Sequence, residues 1–191
     1  YWLLGQTYGS DGILTPIEIA SVDYINVSSR NIKSLQGIGF FTALTRLYCD
    51  YNQLTSLDLS GCTMLTELQC YRNQIKGAGM DALVANLPTV SNGTMKVINH
   101  NDVQNVMTTT QVAAAKAKGW TPCYEYSIWG RSEWREYAGS IAIDKVNFPD
   151  ENFRKYLLSQ SYGNDSILTE TEIANISEIN VHGKDIKSLK G

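Results

Sequence analysis

The stretch that decides the fold reads Leu44-Thr-Arg-Leu47-Tyr-Cys49-Asp-Tyr-Asn52-Gln-Leu54, and it recurs as Leu65-Thr-Glu-Leu68-Gln-Cys70-Tyr-Arg-Asn73-Gln-Ile75. Each apolar or asparagine position returns after 65 − 44 = 21 residues. Leu47 and Cys49 alternate with polar neighbours, as do Leu68 and Cys70, which predicts two short parallel strands with these side chains pointing inward. The asparagine after each strand predicts a turn in which the side-chain amide satisfies backbone groups.

A repeat of this length with the order L-x-x-L-x-L-x-x-N/C-x-L is typical of leucine-rich repeats, here with cysteine in place of the third leucine. A single coil cannot bury its apolar edge, so neighbouring coils must stack on both sides. The sequence therefore predicts an α/β fold, namely a leucine-rich-repeat solenoid of about four coils with short parallel strands.

A longer repetition joins the two ends of the chain. Residues 8–37 return at 162–191, an offset of 162 − 8 = 154, and 17 of the 30 paired positions are identical. We expect a helical cap at 1–24, truncated because it lacks the lead-in of the second copy, then repeats at 25–100 and a small α+β cap at 101–140. Residues 141–191 are expected to hold a linker, a second helical cap and the first strand of a second tandem unit. The open coil at Ile179–Val181 predicts an end-to-end contact with another molecule.

The loop before the first capping helix is similar to an EF-hand. Asp11 and Glu18 fit positions 5 and 12 of D-x-[DN]-x-[DN]-G-x5-E, but Thr7 and Gly9 stand at positions 1 and 3, which need carboxylates. The same segment works without a metal, because Thr15 and Glu18 form a capping box. We interpret both copies as helix-loop-helix caps with no metal site or cofactor, and weak calcium binding stays open.

Composition excludes several functions. Lys and Arg number 16 against 19 Asp and Glu, the net charge is −3 and no basic cluster is present, so nucleic-acid binding is not expected. No run approaches the ~18 apolar residues of a membrane span. His100 and His182 have no nucleophile in a catalytic motif nearby, so we predict a protein without enzymatic activity. Cys49 and Cys70 fall on adjacent strands about 4.8 Å apart, which leaves two buried thiols or a disulfide as alternatives.

Several motifs carry a resemblance to a family. Phe148 to Arg154 (F-P-D-x-N-F-R), Asn52 to Leu57 and the Gln111 to Trp120 tail look like the leucine-rich-repeat proteins exported by gut Bacteroidetes. The helical cap is also similar to that of internalins, which bind host receptors. The resemblance implies a secreted or cell-surface protein with tandem units and a role in adhesion. Arg30 and Lys184 depart from the pattern, because they replace the repeat asparagine.

The predicted ligand-binding surface is the concave face of the strands and of the turns after them. Its members are Tyr24, Arg46, Tyr48, Asp50, Tyr51, Glu67, Gln69, Tyr71 and Arg72. Tyrosine and arginine are frequent binding hot spots, so we predict recognition of a protein or glycan ligand there. The alternatives are an ordinary hydrated sheet, and a structural spacer or calcium-stabilised tandem array with no ligand of its own.

Overall fold

The computed structural model describes residues 11–99, 105–128, 131–164 and 166–189. The chain divides into two compact units, Tyr1–Ala138 and Gly139–Gly191. Each unit encloses its own apolar core.

The first unit is built around one sheet. Its strands are β1 (Tyr24–Asn26), β2 (Arg46–Tyr48), β3 (Glu67–Gln69), β4 (Gly93–Asn99), β5 (Trp120–Ile128) and β6 (Arg131–Glu136). Its helices are α1 (Pro16–Ser21), α2 (Ala78–Asn86) and α3 (Thr109–Ala117), with a 3-10 turn at Ile38–Phe40. The strands follow one another in chain order across the sheet, the first five parallel and β6 antiparallel.

The predicted leucine-rich-repeat solenoid is wrong, because the described residues form a mixed α/β fold around this six-stranded sheet. The register aligns Tyr24, Arg46, Glu67, Thr94 and Thr121, so successive spacings are 46 − 24 = 22, 67 − 46 = 21, 94 − 67 = 27 and 121 − 94 = 27 residues. The two longer spacings contain α2 and α3. The 21-residue repeat thus describes one step of the sheet rather than the architecture.

The sequence also misplaced the end of the parallel sheet. We expected Met95–Asn99 to be the last strand and the segment from Trp120 to belong to a separate cap. Instead β5 pairs with β4 in parallel. The sequence also predicts two strands from Trp120 and from Trp134 about a turn, and this hairpin is confirmed, because β6 returns against β5. We expected Trp129 and Gly130 to form the turn of this hairpin, and both lie outside the described residues.

Inward side chains of the strands form the core as predicted. Leu47, Leu68, Cys49 and Cys70 are completely buried. Both cysteines are free thiols, so the disulfide alternative is excluded. Burial raises the pKa of Cys70 to about 12, and it also raises that of Cys49.

Buried asparagines connect neighbouring turns, and the predicted role of Asn52 and Asn73 is confirmed. The Asn73 amide donates to the carbonyls of Cys49 (3.0 Å) and Cys70 (2.9 Å), and its oxygen accepts from the Leu54 N–H at 2.9 Å. The Asn52 amide likewise donates to the Cys49 carbonyl at 2.9 Å. A third asparagine, Asn105, continues the series, because it donates to the Cys70 carbonyl at 2.8 Å.

Capping explains where the helices begin. Thr15 and Glu18 form the predicted capping box at α1, since the Thr15 oxygen accepts from the Glu18 N–H and the Glu18 carboxylate accepts from the Thr15 N–H. From the sequence we also expected Thr109 or Thr110 to cap α3, but the cap is Thr108, which pairs with Gln111.

The second unit contains α4 (Glu151–Leu158), α5 (Glu170–Asn175) and a two-stranded sheet of β7 (Ile141–Ala142) and β8 (Ile167–Leu168). The sequence predicts a helix from Phe148 to about Ser159; the helix is present but begins at Glu151, because Asp150 is its cap. The second capping box, at Thr169, is also present. Two expectations fail here: β7 lies in the supposed linker, and Ile179–Val181 forms no strand. Ile179 is 46% exposed. The expected end-to-end contact stays a prediction.

Candidate functional site

The candidate site lies on the side of the sheet that faces away from the core, which we call the exposed face. Strand alternation places it there: Leu47 and Leu68 point inward, so Tyr48 and its partner in register, Gln69, point outward. The register adds a neighbouring row in which Tyr24, Arg46 and Glu67 lie side by side. The sequence predicts that neighbouring strands align these side chains in columns, and the columns are present on β1 to β3.

Tyr24 and Tyr48 form the first aromatic pair of the exposed face. Their rings meet edge to face, with centroids 5.1 Å apart, and the Arg46 guanidinium lies over the Tyr24 ring at 4.8 Å. The Tyr48 hydroxyl donates to Glu67 at 2.7 Å, and the Gln69 amide donates to the same oxygen at 3.2 Å. Desolvation, followed by the bond to Glu67, raises the pKa of Tyr48 to about 12. The hydroxyl thus stays protonated and holds the ring in one orientation.

A second aromatic group lies on the turns after β2 and β3. Tyr51 and Arg72 adopt positive φ angles of 53° and 51°, which re-aim their side chains at the point where each strand ends. The Tyr51 ring meets the Tyr71 ring edge to face at 5.4 Å, and Arg72 lies over the Tyr51 ring at 4.9 Å. Tyr51 is 44% exposed, so it offers apolar surface to solvent.

Asp50 lies beneath this second group rather than on its surface. It is only 6% exposed, and its carboxylate accepts a 2.7 Å hydrogen bond from the Ser28 hydroxyl. Burial, followed by the negative charge of Asp50, raises the pKa of Tyr71. The Asp50 carboxylate therefore lies close to Tyr71 but deeper, so a ligand would meet the tyrosine first.

The structure adds Trp134 and Lys96, which the sequence analysis missed. The Trp134 ring, on β6, lies 5.0 Å from the Tyr71 ring, and the Lys96 ammonium group is 5.2 Å from the centre of the Trp134 ring. A flat sheet would separate β6 from β3 by three strand spacings, about 14 Å. The hairpin therefore carries a tryptophan from the sheet edge onto the exposed face.

The sequence contains a signal that could have found Lys96 but none that could have found Trp134. Lys96 is in register with Gln69, so extending the predicted columns by one strand would have found it. Trp134 gives no comparable signal, because strand pattern alone does not show where a hairpin folds. We call Tyr51, Tyr71 and Trp134, with their cations Arg72 and Lys96, the tyrosine–tryptophan cluster.

Hydrogen bonds also fix the far side of this cluster. Arg72 donates to Asn99 at 3.1 Å, and the Asn99 amide donates to Glu125 on β5. Asn99 is 2% exposed, so this chain of bonds runs below the surface. The cation over Tyr51 is consequently anchored to β4 and β5.

A separate apolar cavity of about 970 Å³ lies beside α1 and β1, lined by residues such as Leu14, Ile25, Val27 and Phe41. Arg30 is the one ionisable group among its described lining residues. Within the described ranges, no group of three or more His, Cys, Asp or Glu side chains is placed to hold a metal ion.

Neither a protein-family model nor a curated protein sequence matches this chain. Among the helices that the structure describes, none combines the length and the apolar character needed to cross a lipid bilayer.

Proposed function

We propose that this chain is a non-enzymatic recognition module that binds a protein ligand through the exposed face of its six-stranded sheet. The observation that carries the proposal is the set of five aromatic rings on that face, each in contact with another ring or a cation. Tyrosine, tryptophan and arginine dominate binding hot spots. Rings that are already oriented lose little conformational entropy when a partner docks.

The size of the face sets the expected affinity. Six strands at about 4.8 Å spacing span about 24 Å, and the six residues from Tyr24 to Ser29 extend about 20 Å, so the face covers roughly 500 Å². Stable complexes bury about 800 Å² on each partner, and smaller interfaces are usually transient. We therefore expect a weak or transient complex, and the binding assay needs multivalent display to detect it.

The resemblance to exported bacterial proteins supports a place for the module on a secreted or cell-surface protein. A structural spacer is the second candidate, and the division into two compact units with a 154-residue repeat favours it. A spacer needs no ligand, so a binding experiment separates the two.

The test is capture of purified extracellular proteins and glycans on arrays by a tetrameric form of the whole chain. The variant Tyr48→Ala with Tyr71→Ala should lose the captured protein. Phe40→Ala is the matched control, because Phe40 is 70% exposed and lies outside the exposed face, in the 3-10 turn between β1 and β2. Circular dichroism and melting verify that each variant is folded.

Loss of capture in the tyrosine variant alone would support the proposal. Equal capture by the tyrosine variant would place the binding site elsewhere on the molecule. Capture of glycans alone would replace the ligand class, and capture of nothing would favour the spacer.

A further inference from the structure

The charged groups of the exposed face differ in what they leave available to a partner. The face carries charged groups of both signs, among them the cations Arg46, Arg72 and Lys96 and the acids Asp50, Glu67 and Glu125. Specificity on such a surface depends on which groups still have hydrogen-bonding capacity after folding.

The acids are occupied by neutral donors of the face itself. Asp50 accepts from Ser28, Glu67 accepts from Tyr48 and Gln69, and Glu125 accepts from Asn99. A ligand that offers N–H donors would compete with these bonds.

Two of the cations are placed differently. Arg46 and Lys96 lie over the rings of Tyr24 and Trp134. Among the described residues, neither forms an ion pair, whereas Lys116, Arg135 and Lys155 do. A cation held over a ring keeps its N–H donors for an external acceptor, since a ring offers no lone pair.

Resting on the proposed function, we infer that the ligand is an acidic peptide segment whose carboxylates pair with Lys96, beside Trp134, and with Arg46. The two cations lie two strands and two residues apart in register, which corresponds to about 12 Å. An extended chain covers about 3.4 Å per residue and presents alternate side chains on one side, so the two acidic residues of the ligand lie about four positions apart.

Ring geometry favours a peptide over an acidic glycan. The Tyr51 and Tyr71 rings are inclined at 75°, and those of Tyr71 and Trp134 at 53°. A row of sugars needs successive ring faces in one plane, whereas inclined rings leave gaps that side chains fill. Apolar residues next to the acids would occupy these gaps.

The experiment selects random dodecapeptides displayed on phage for binding to the whole chain. Selected peptides are then synthesised and titrated against the unmodified chain and its variants. We expect enrichment of Asp or Glu pairs at the stated spacing, and weaker binding at high salt. Lys96→Gln should weaken binding about tenfold, because it removes a charge-assisted hydrogen bond.

Lys96→Arg, which keeps the charge, should retain most of the affinity. Lys76→Gln is the matched control, because Lys76 is exposed in the turn before α2, outside the face, and its loss changes net charge equally. It should bind as the unmodified chain does. Peptides in which Gln replaces Glu should bind at least tenfold more weakly.

The outcomes separate this inference from the proposed function. Peptides that lose binding in the Tyr48→Ala, Tyr71→Ala variant but show no acidic enrichment and ignore Lys96→Gln would overturn the acidic ligand and leave the recognition face in place. Peptides that ignore both changes would overturn both. If no peptide is selected at all, the acidic peptide is overturned, and the array capture described above decides separately whether the recognition face stands. Binding of polygalacturonate to the same face without any selected peptide would assign the carboxylate to a glycan and overturn the peptide.

Discussion

Removing two buried asparagines that share one carbonyl should destabilise the first unit by more than the sum of the two single changes. Asn73 and Asn105 are 0% and 3% exposed. Both donate to the Cys70 carbonyl, at 2.9 Å and 2.8 Å, and these are its partners among the described hydrogen bonds. Either single alanine variant leaves that carbonyl one donor. The double variant leaves it none.

The size of the effect follows from what each change leaves unpaired. Asn73→Ala deprives the Leu54 N–H of its acceptor, and Asn105→Ala does the same to the Ile75 N–H. An unsatisfied buried polar group costs about 1–3 kcal/mol, so each single variant should lose at least that much. The double variant additionally leaves the Cys70 carbonyl unsatisfied. We expect a coupling of about 1–3 kcal/mol beyond the sum.

The assay is a double-mutant cycle from urea unfolding followed by tryptophan fluorescence. All four tryptophans precede residue 139, so the signal reports the first unit rather than the second. Every variant is measured in the same sucrose concentration, which keeps the double variant folded. Asn52→Ala with Asn105→Ala is the control pair, because these two asparagines share no carbonyl. Additivity of the Asn73 and Asn105 variants within about 0.5 kcal/mol would refute the reasoning.

Three further predictions use other parts of the structure. Gly61→Ala should lower the free energy of unfolding by about 1–3 kcal/mol, because its Cβ would lie 2.0 Å from the Gly39 carbonyl oxygen. Gly39→Ala is the control, because the nearest atom to its Cβ would be 3.5 Å away. Equal urea midpoints for the two variants would contradict this prediction. Ellman's reagent at pH 8 should reach the four buried thiols only on unfolding, since burial raises the pKa of Cys70 to about 12; rapid labelling of the native protein would contradict it. Hydrogen bonds from the first turn of α4 and then from Lys187 lower the pKa of Asp150. Its stabilising effect should therefore be present above its unfolded pKa of about 3.9 and disappear as pH falls, and an Lys187 amide NMR shift that stays constant from pH 5 to 2 would contradict that.

The sequence predicted the parts of the fold that depend on local alternation. Leu47 and Leu68 reveal their inward direction through polar neighbours, and Asn52 and Asn73 reveal their turns because each follows its cysteine by three residues. Asn105 likewise donates its amide to the carbonyl of the last inward residue of a strand, Val97, yet it follows that residue by 105 − 97 = 8 positions. The extra residues hide it from any search at fixed spacing.

The candidate site was predictable to the extent that strand register determines it. Tyr24, Tyr48 and Gln69 lie where the columns predicted. The burial of Asp50 depends on a hydrogen bond from Ser28, and the position of Trp134 on the exposed face depends on the hairpin of β5 and β6. Such contacts leave no periodic mark in the sequence.

The two copies of the internal repeat show how far strand formation depends on neighbouring segments rather than on the local sequence. Ile25 and Ile179 occupy equivalent positions, each followed by Asn and Val, yet Ile25 is 2% exposed and Ile179 is 46% exposed. Tyr24–Asn26 is a strand because Arg46–Tyr48 pairs with it, whereas the equivalent residues 178–180 have no described strand beside them. Strand propensity reflects packing against neighbours more than an intrinsic backbone preference. The shared Ile-Asn pair therefore lies in a strand in the first unit and in irregular backbone in the second. The exposed face that we propose for recognition exists only where consecutive strands align its side chains.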